Sequence, residues 1–246
     1  MPFLQDWDTP LRVDEAEWID DENQPYEDFR ESMTDVRRAN RFLGGTVVVT
    51  RQARRWIREA KARKQTEPLT FLDVATGSGD IPEAIRKIAR NAGVEARFVG
   101  LDFSAPILRF AREEVGAYPE IRLVRGDAFR LPLPDNSVDY ALCSLAFHHF
   151  GFERCLLALS EMERVSRRGW LVNDLRRARS AWYLFRGVSA LARMNRLTRH
   201  DGPASVMRAY SLSEYAKMVA GVNLQAGRDV TIRGSLFYRV ALLREK

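Results

Sequence analysis

A loop of small residues follows a buried apolar run early in the chain. The stretch that begins at Leu72 reads LDVATGSGD, and it places Gly77 and Gly79 between a predicted strand and a predicted helix. Glycines at such a turn allow the backbone to approach a ligand closely. The third glycine of a dinucleotide-binding loop is missing, and Asp80 opens the helix where a pyrophosphate would otherwise sit. The pattern therefore favours a ligand that carries a positive group and no phosphates.

Two more acidic residues end the next two predicted strands. Asp102 closes the strand ARFVGLD, where a carboxylate can hold both hydroxyls of a ribose. Asp127 closes the strand IRLVRGD, where its carboxylate and the backbone N–H of Ala128 can bind the edge of an adenine. Ligands of open α/β sheets bind beyond the carboxyl ends of the strands, so these residues and the glycine loop should lie together. The spacing predicts a cationic ligand that contains adenosine.

The chain contains three histidines, and each is a candidate general base. His148 and His149 follow the fourth predicted strand, SVDYALCSL, at the edge where the ligand is expected. His200 lies in a polar segment beside Asp201, whose carboxylate is suited to orient the imidazole. Asp-Gly-Pro at this point also favours a simple turn, and a single histidine is often structural. Catalytic and structural interpretations therefore stay open for all three residues.

Alternating strands and helices predict the frame that positions these residues. Apolar runs and helical patterns alternate between residues 69 and 175. This alternation predicts an α/β protein with a parallel sheet covered on both faces. A helical pattern over 211–222 then precedes two successive strands, about 229–233 and 236–243, with a turn at Gly234-Ser235. A hairpin at the end of a parallel sheet implies that the last strand is antiparallel.

Three segments flank or interrupt this frame. Residues 1–25 are highly charged without regular periodicity, which predicts a loose arm, and two helices are expected over about 26–42 and 46–64. Residues 176–200 combine seven arginines with the aromatic run WYLF, and a polar loop is expected after this basic helix. The aromatic stripe suits a flat or apolar acceptor. The arginines suit an acid group, membrane headgroups or simple solvation.

The length of 246 residues fits one α/β domain, and a composition of 46% hydrophobic and 29% charged residues is typical of a soluble globular protein. No apolar run approaches the roughly 20 residues of a transmembrane helix, and the N-terminus lacks the pattern of a signal peptide. Cys143 and Cys155 form no metal-type or redox-type pair, so a reduced, cytoplasmic protein is expected. Residues 1–35 carry a net charge of −10 and the remainder +16. This asymmetry suggests docking of the acidic segment on the basic body, or an anionic partner, and an ordinarily charged surface is the equal alternative.

Three motifs in order resemble those of the class I S-adenosylmethionine-dependent methyltransferases, especially the ubiquinone- and menaquinone-type enzymes that act on small molecules. LDVATGSGD is similar to the first motif, with Ala75 in place of its first glycine, and VGLDFS is similar to the second. RGDAFRLPLPDNSVDYALCSLAFHHF resembles the adenine-binding and fourth motifs. The similarity spans about residues 40–245. It implies a Rossmann-like three-layer sandwich with N-terminal helices and a seven-stranded, mostly parallel sheet, whose last strand is antiparallel and inserted between its neighbours.

The resemblance also implies the cofactor, S-adenosylmethionine, and its product, S-adenosylhomocysteine. Asp102 would bind the ribose and Phe103 would lie against the adenine, while Ser144 and Leu145 would line the methionine moiety. Arg41 is a candidate for the methionine carboxylate, although a solvent-facing arginine fits its helix equally well. The residues expected to bind the cofactor are Arg41, Asp73, Ala75, Thr76, Gly77, Gly79, Asp80, Asp102, Phe103, Asp127, Ala128, Phe129, Ser144 and Leu145.

An organisation of the chain follows from the same resemblance. Residues 1–65 are expected to form an acidic arm and a helical cap, and residues 66–246 the methyltransferase domain. Within that domain an insertion at about 176–210 is expected to build the acceptor pocket. The expected state is a monomer or a homodimer, and peripheral membrane contact is compatible with the basic insertion.

The expected reaction is methyl transfer to a phenolic or enolic oxygen of a quinone-like or polyketide-like small molecule. Transfer to carbon or nitrogen, methylation of RNA and a non-catalytic cofactor-binding role are the alternatives. RNA is disfavoured because CSLAFHHF stands where base-modifying enzymes usually carry Asn/Asp-Pro-Pro-Tyr/Phe. No metal is expected, since no histidine–carboxylate cluster with ligand spacing occurs in the sequence.

Overall fold

The computed structural model of the chain describes residues 8–21, 24–42, 44–224, 227, 229–235 and 237–246, without the side chains of residues 20, 41 and 42. Within these ranges a single mixed sheet has the strand order β3-β2-β1-β4-β5-β7-β6. The strands are β1 (Leu69–Val74), β2 (Ala96–Asp102), β3 (Ile121–Arg125), β4 (Val138–Ser144), β5 (Ser166–Leu175), β6 (Thr231–Ser235) and β7 (Arg239–Glu245).

Strands β1 to β5 run parallel, whereas β7 is antiparallel to both of its neighbours, β5 and β6. The predicted Rossmann-like sheet with an inserted antiparallel last strand is therefore confirmed. The order reverses between β1 and β4, because the chain adds β2 and β3 on one side of β1 and the later strands on the other. Such a reversal leaves a crevice beyond the carboxyl ends of the strands, where ligands of this architecture bind.

Helices cover both faces of the sheet or lie beyond its carboxyl edge. They are α1 (Tyr26–Phe42), α2 (Gly45–Ala62), α3 (Asp80–Ala92), α4 (Ala105–Val115), α5 (Phe152–Val165), α6 (Arg179–Leu191), α7 (Arg196–Arg208) and α8 (Leu212–Ala220). No described helix is long and apolar enough to cross a bilayer.

Side chains alternate between the two faces of the central strands, as the two-residue period of a strand requires. Phe71 points into a core formed with α2 and α3, whereas Leu72 points into the opposite core formed with α5 and α8. In the first of these cores the ring of Trp56 stacks on Tyr140 with centroids 4.0 Å apart. Burial of a side chain of this size contributes roughly 1.5–3 kcal/mol. Both cores fix the strands whose ends carry the candidate site.

Residues 196–208 form helix α7, which corrects the predicted polar loop. Asn195 caps the helix, because its side chain accepts a hydrogen bond from Leu197 N at 2.9 Å. Asp201 and Pro203 lie inside the helix and are buried. The Asp-Gly-Pro pattern gave the wrong prediction because tertiary packing outweighs a local turn preference.

The described residues of the acidic arm, 8–21, are docked on the body rather than loose. The carboxylate of Asp201 accepts hydrogen bonds from the backbone N–H groups of Trp18 and Ile19 at 2.8 and 2.9 Å. Arg177 donates to the carbonyl of Pro10 at 2.8 Å. The prediction of a loose arm was wrong for these residues, and the docking suggested by the charge asymmetry is the arrangement found. Residues 1–7 and 22–23 lie outside the described ranges.

The C-terminal hairpin is present, but its turn is not at Gly234-Ser235. Both of these residues belong to β6, and Phe237 and Tyr238 make the turn into β7. Both turn residues adopt left-handed backbone conformations, with φ of 57° and 54°. Non-glycine residues rarely do so, which explains why the sequence pointed to the glycine instead.

Candidate functional site

A cavity of about 1120 Å³ lies at the carboxyl edge of the sheet. The loops after β1, β2, β3 and β4 line it together with residues of α1, α6, α7 and the hairpin turn. The cofactor residues predicted from the sequence that line it are Asp73, Ala75, Thr76, Gly77, Asp80, Asp102, Phe103, Asp127, Ala128, Phe129, Ser144 and Leu145. The structure thus gathers these residues at one site, while their binding roles remain predictions.

The small-residue loop after β1 owes its shape to left-handed backbone conformations. Ala75 has φ of 54°, Gly77 of 55° and Gly79 of 73°. The loop is fixed at its base because Thr76 N donates to the carbonyl of Leu101 at 2.9 Å. Gly79 does not line the cavity, and a Cβ there would lie 2.9 Å from Val115. Gly79 therefore serves the packing of this loop against α4.

Asp102 is held at the end of β2 by backbone donors on both of its oxygens. Gly77 N donates to Oδ2 at 3.1 Å and Ser104 N donates to Oδ1 at 3.0 Å. Burial raises the pKa of this carboxyl, and these N–H groups oppose the shift without cancelling it. Each carboxylate oxygen can accept a further bond, so Asp102 keeps acceptor capacity toward the cavity that it lines.

The adjacent wall offers the features expected around an adenine. The side chain of Asp127 accepts a hydrogen bond from Phe129 N at 2.9 Å, which fixes the loop after β3. Phe103 is 70% exposed although it is aromatic, and it lines the cavity. An aromatic ring left in water beside an ordered carboxylate provides a stacking surface for a flat ligand.

Buried carboxylates give this end of the cavity an anionic character. Burial raises the pKa of Asp73 to about 8, although a hydrogen bond from Thr76 at 2.7 Å opposes the shift. Burial likewise raises the pKa of Asp80, and the positive charge of Arg37 opposes it. A cationic ligand would stabilise the ionised form of both groups. The donor set therefore fits a ligand with positive charge, as the missing third glycine and Asp80 predicted.

Ser144 and Leu145, at the end of β4, line the same cavity as these carboxyl groups. The side chain of Asn173 donates to Ser144 Oγ at 2.9 Å, and Leu145 N donates to the carbonyl of Asn173 at 2.8 Å. Leu145 has a left-handed backbone with φ of 58°. This conformation turns the chain sharply toward the two histidines that follow.

His148 is buried and tied to Asp174 by two hydrogen bonds. Its Nδ1 lies 2.6 Å from Asp174 Oδ1, and its backbone N donates to Oδ2 at 3.0 Å. Burial would raise the pKa of Asp174, but the charge and hydrogen bonds of His148 outweigh it, so the pKa is lowered. An ionised Asp174 that accepts from Nδ1 leaves Nε2 as the proton-accepting nitrogen. Asp174 was not predicted from the sequence, because only the pairing of β4 with β5 brings it here.

Glu17 of the docked arm lies beside His148 and His149. No local pattern in the sequence predicted that it would. Its Oε1 lies 4.0 Å from His148 Nε2, and its Oε2 lies 3.7 Å from His149 Nε2. His149 also opposes the rise in the pKa of Asp102 that burial causes. His149 therefore interacts with both this carboxylate and Glu17 of the arm.

The ligand atoms of Glu17, His148 and His149 lie within 4.8 Å of one another, a grouping that a metal ion could use. No such cluster was expected from the sequence, and the docking of the arm, which brings Glu17 to the histidines, corrects that expectation. Ser205 already donates to Glu17 Oε1 at 2.8 Å, and Arg208 Nη1 lies 3.6 Å from the same oxygen. Because these groups compensate the Glu17 charge, the cluster is accounted for without an ion.

Helices α6 and α7 contribute apolar side chains to another wall of the cavity. Helix α6 contributes Leu184, Phe185 and Val188, and α7 contributes Val206. A Cβ at Gly202 of α7 would lie 1.8 Å from the ring of Phe185, so the two helices meet closely there. The aromatic stripe expected to build an acceptor pocket thus supplies a portion of this wall.

Two predicted residues fall outside this arrangement. His200 does not line the cavity; its ring stacks on Trp18 at 3.7 Å, and its Nδ1 lies 2.8 Å from Asp201. Its surroundings are those of a contact between the arm and α7, so we do not carry His200 into the proposed chemistry. The side chain of Arg41 lies outside the described portion of the chain, and its predicted role stays a prediction.

Comparisons with known proteins agree with this geometry. Residues 72–172 match the family model described as a methyltransferase domain. Demethylmenaquinone methyltransferase from Staphylococcus aureus is 33% identical over 138 residues, which cover 56% of this chain and 54% of that protein. This part of the chain is therefore similar to methyltransferases. The chain spans about half the length of the curated relatives that it matches.

Two solved structures share the fold of this chain. The plantazolicin methyltransferase in complex with S-adenosylhomocysteine aligns with a TM-score of 0.63 at 16% identity, covering 89% of this chain and 90% of that one. A SAM-dependent methyltransferase from Aquifex aeolicus aligns with a TM-score of 0.52 at 19% identity, covering 76% and 88%. At such identities the likeness supports the fold.

Proposed function

We propose that this protein transfers a methyl group from S-adenosylmethionine to a phenolic or enolic oxygen of a small, mostly apolar acceptor, of the quinone-like or polyketide-like kind. The observation that carries the proposal is one cavity that is lined by the carboxyl groups after β1 and β2, by apolar residues of α6, and by His148, whose Nδ1 lies 2.6 Å from Asp174. Methyl transfer needs a donor and an acceptor in line and shielded from water. A single cavity of this kind is suited to that task.

At the anionic end, Asp102 would bind the ribose, Phe103 would stack on the adenine, and Asp73 and Asp80 would face the positive groups. The bound cofactor supplies a methyl group on a positively charged sulfur, which is already activated toward displacement. The protein then has mainly to orient the partners and exclude water. The apolar side chains of α6 and α7 would perform that exclusion at the acceptor end.

A phenol or enol must lose its proton to become a good nucleophile. His148 would accept this proton at Nε2, because Nδ1 donates to Asp174 at 2.6 Å. Asp174 would hold the ring in this tautomer and stabilise the imidazolium that forms. His149, 3.7 Å from Glu17, would contact the acceptor or the arm rather than act as the base.

The test is methyl transfer by the purified full chain from labelled S-adenosylmethionine to a panel of naphthols, hydroxyquinones and enolic diketones, with the product identified by mass and by NMR. Methyl ethers as products support the proposal. Products methylated at carbon or nitrogen would contradict the oxygen assignment. Uptake of the cofactor without any turnover, or turnover only with RNA, would favour the binding-protein or RNA alternatives instead.

A further inference from the structure

Arg239 is a buried cation that lacks the partners such a group usually has. It begins β7 and is only 6% exposed, yet it lines the cavity. Its Nε and Nη1 atoms are buried and make no hydrogen bond with any described residue. Buried charges are normally paired and hydrogen-bonded. An unpaired buried cation at the wall of a cavity therefore indicates that an anionic ligand binds there.

The nearby carboxylate does not fill this need. The negative charge of Asp174 raises the pKa of Arg239, but burial outweighs it, so the pKa falls to about 10. The oxygens of Asp174 accept from His148 Nδ1, His148 N and Leu175 N, at 2.6, 3.0 and 2.6 Å. The guanidinium remains charged at neutral pH, and its Nε and Nη1 donors have no described acceptor.

Strand pairing places Arg239 on the acceptor side of the site. It is in register with Leu175 at the carboxyl end of β5. In the strand order, β1, β2 and β3 carry the carboxylates that suit the cofactor, and β4 and β5 separate them from β7. Arg239 therefore lies on the flank opposite to the cofactor end, beside the apolar wall.

The turn before Arg239 points to a functional reason for its position. Phe237 and Tyr238 both have left-handed backbones, and both line the cavity. The carbonyl of Tyr238 accepts a hydrogen bond from Arg176 N at 2.7 Å, which holds the turn against β5. Backbone strain of this kind persists where the surroundings enforce it, and it is concentrated at binding sites.

We infer that Arg239 binds an anionic oxygen of the acceptor, so that the preferred substrates have an apolar body and a carboxylate or an ionised phenol or enol. The inference rests on the proposed function and adds a charge requirement to it. A planar guanidinium with unused donors matches such oxyanions in geometry and in charge. A neutral acceptor would leave the guanidinium without a partner.

The experiment measures binding, in the presence of S-adenosylhomocysteine, of naphthoic acid against its methyl ester and of ionised dinitronaphthol against its methyl ether. We expect the wild-type protein to prefer one or both anions by roughly ten- to hundred-fold. The first pair reports a carboxylate site, and the second reports a phenolate or enolate site. Arg239→Met should abolish the preference. The control Arg233→Met, at an exposed position of β6, should keep it.

Equal binding of each anion and its neutral partner by the wild-type protein would overturn the inference. A second result would also overturn it. If a folded Arg239→Met protein lost as much affinity for S-adenosylhomocysteine as for the anions, Arg239 would serve the cofactor instead. If Arg239→Met does not fold, Arg239→Gln is measured in its place. The anion preference of the wild-type protein tests the inference without either variant. Because no turnover is measured, an anion preference without methyl transfer would count against the proposed function alone.

Discussion

Asp73→Asn is expected to remove most of the pH dependence of S-adenosylhomocysteine binding. Asp73 is buried at the end of β1, and burial raises its pKa to about 8. Below that pH the empty site holds a neutral carboxylic acid, and a ligand ammonium group favours its ionised form. Binding should therefore release a proton and become stronger as pH rises toward 8.

The size of this pH dependence follows from the pKa of Asp73. At pH 7, one unit below it, ionising Asp73 costs about 1.4 kcal/mol, and this cost almost disappears above pH 8. With a pKa of about 8 the ionised fraction rises about fifty-fold between pH 6 and pH 8, which sets the largest expected gain in affinity. An asparagine keeps an acceptor for the Thr76 hydroxyl but has no proton to release.

Calorimetry in buffers of different ionisation enthalpy gives both the affinity and the number of protons released. Asp229→Asn, at an exposed position outside the cavity, is the matched control and should behave as the wild type. The ligand-free protein offers a second readout. Because the pKa of Asp73 is higher in the folded than in the unfolded state, its neutral carboxyl group contributes to folding stability at low pH. This contribution is lost as pH rises through about 8. The reasoning fails if the wild-type affinity is flat over this range, or if Asp73→Asn keeps the same slope.

The other predictions concern the ribose carboxylate, the base and the acceptor wall. Asp102→Ala should weaken S-adenosylhomocysteine binding by about ten- to hundred-fold through lost charge-assisted hydrogen bonds; unchanged affinity in calorimetry would contradict the ribose assignment. His148→Gln should slow methyl transfer by about 10²- to 10⁴-fold at unchanged cofactor affinity, and a wild-type rate would remove His148 from the chemistry. Gly202→Ala should destabilise the fold by about 1–3 kcal/mol, because the new Cβ meets Phe185; an unchanged denaturation midpoint would speak against the close contact of α6 and α7.

The sheet and the cofactor end could be predicted because their signals are local. Strand β2 has the predicted bounds, Ala96–Asp102. Its apolar run and the acid that closes it are both visible in the sequence. The glycine loop after β1 and the two strand-end acids needed only the rule that strand ends meet at one edge. Even the substitution at Ala75 is accommodated, since its backbone adopts the left-handed conformation that a glycine would favour.

The acceptor end could not be predicted, because it depends on contacts between distant segments of the chain. Glu17 reaches the histidines only because Asp201 and other residues of α7 hold the arm. The helix itself was hidden by an Asp-Gly-Pro pattern that favours a turn. Nothing in the sequence around Arg239 distinguishes it from other strand arginines, and only the pairing of β7 with β5 and the strained turn bring it to the cavity.

Under the proposed function, the distribution of charge also bears on how the reaction is completed. Asp73, Asp80 and Asp102 would face a positive donor, and Arg239 would face a negative acceptor. Transfer of a methyl group from a sulfonium to an oxyanion neutralises the sulfur and that oxygen. If Arg239 holds the oxygen that is methylated, it would bind the product less well than the reactant. The loss of charge on the acceptor would therefore favour release of the methylated product, while the apolar side chains of α6 and α7 keep water from the reacting atoms.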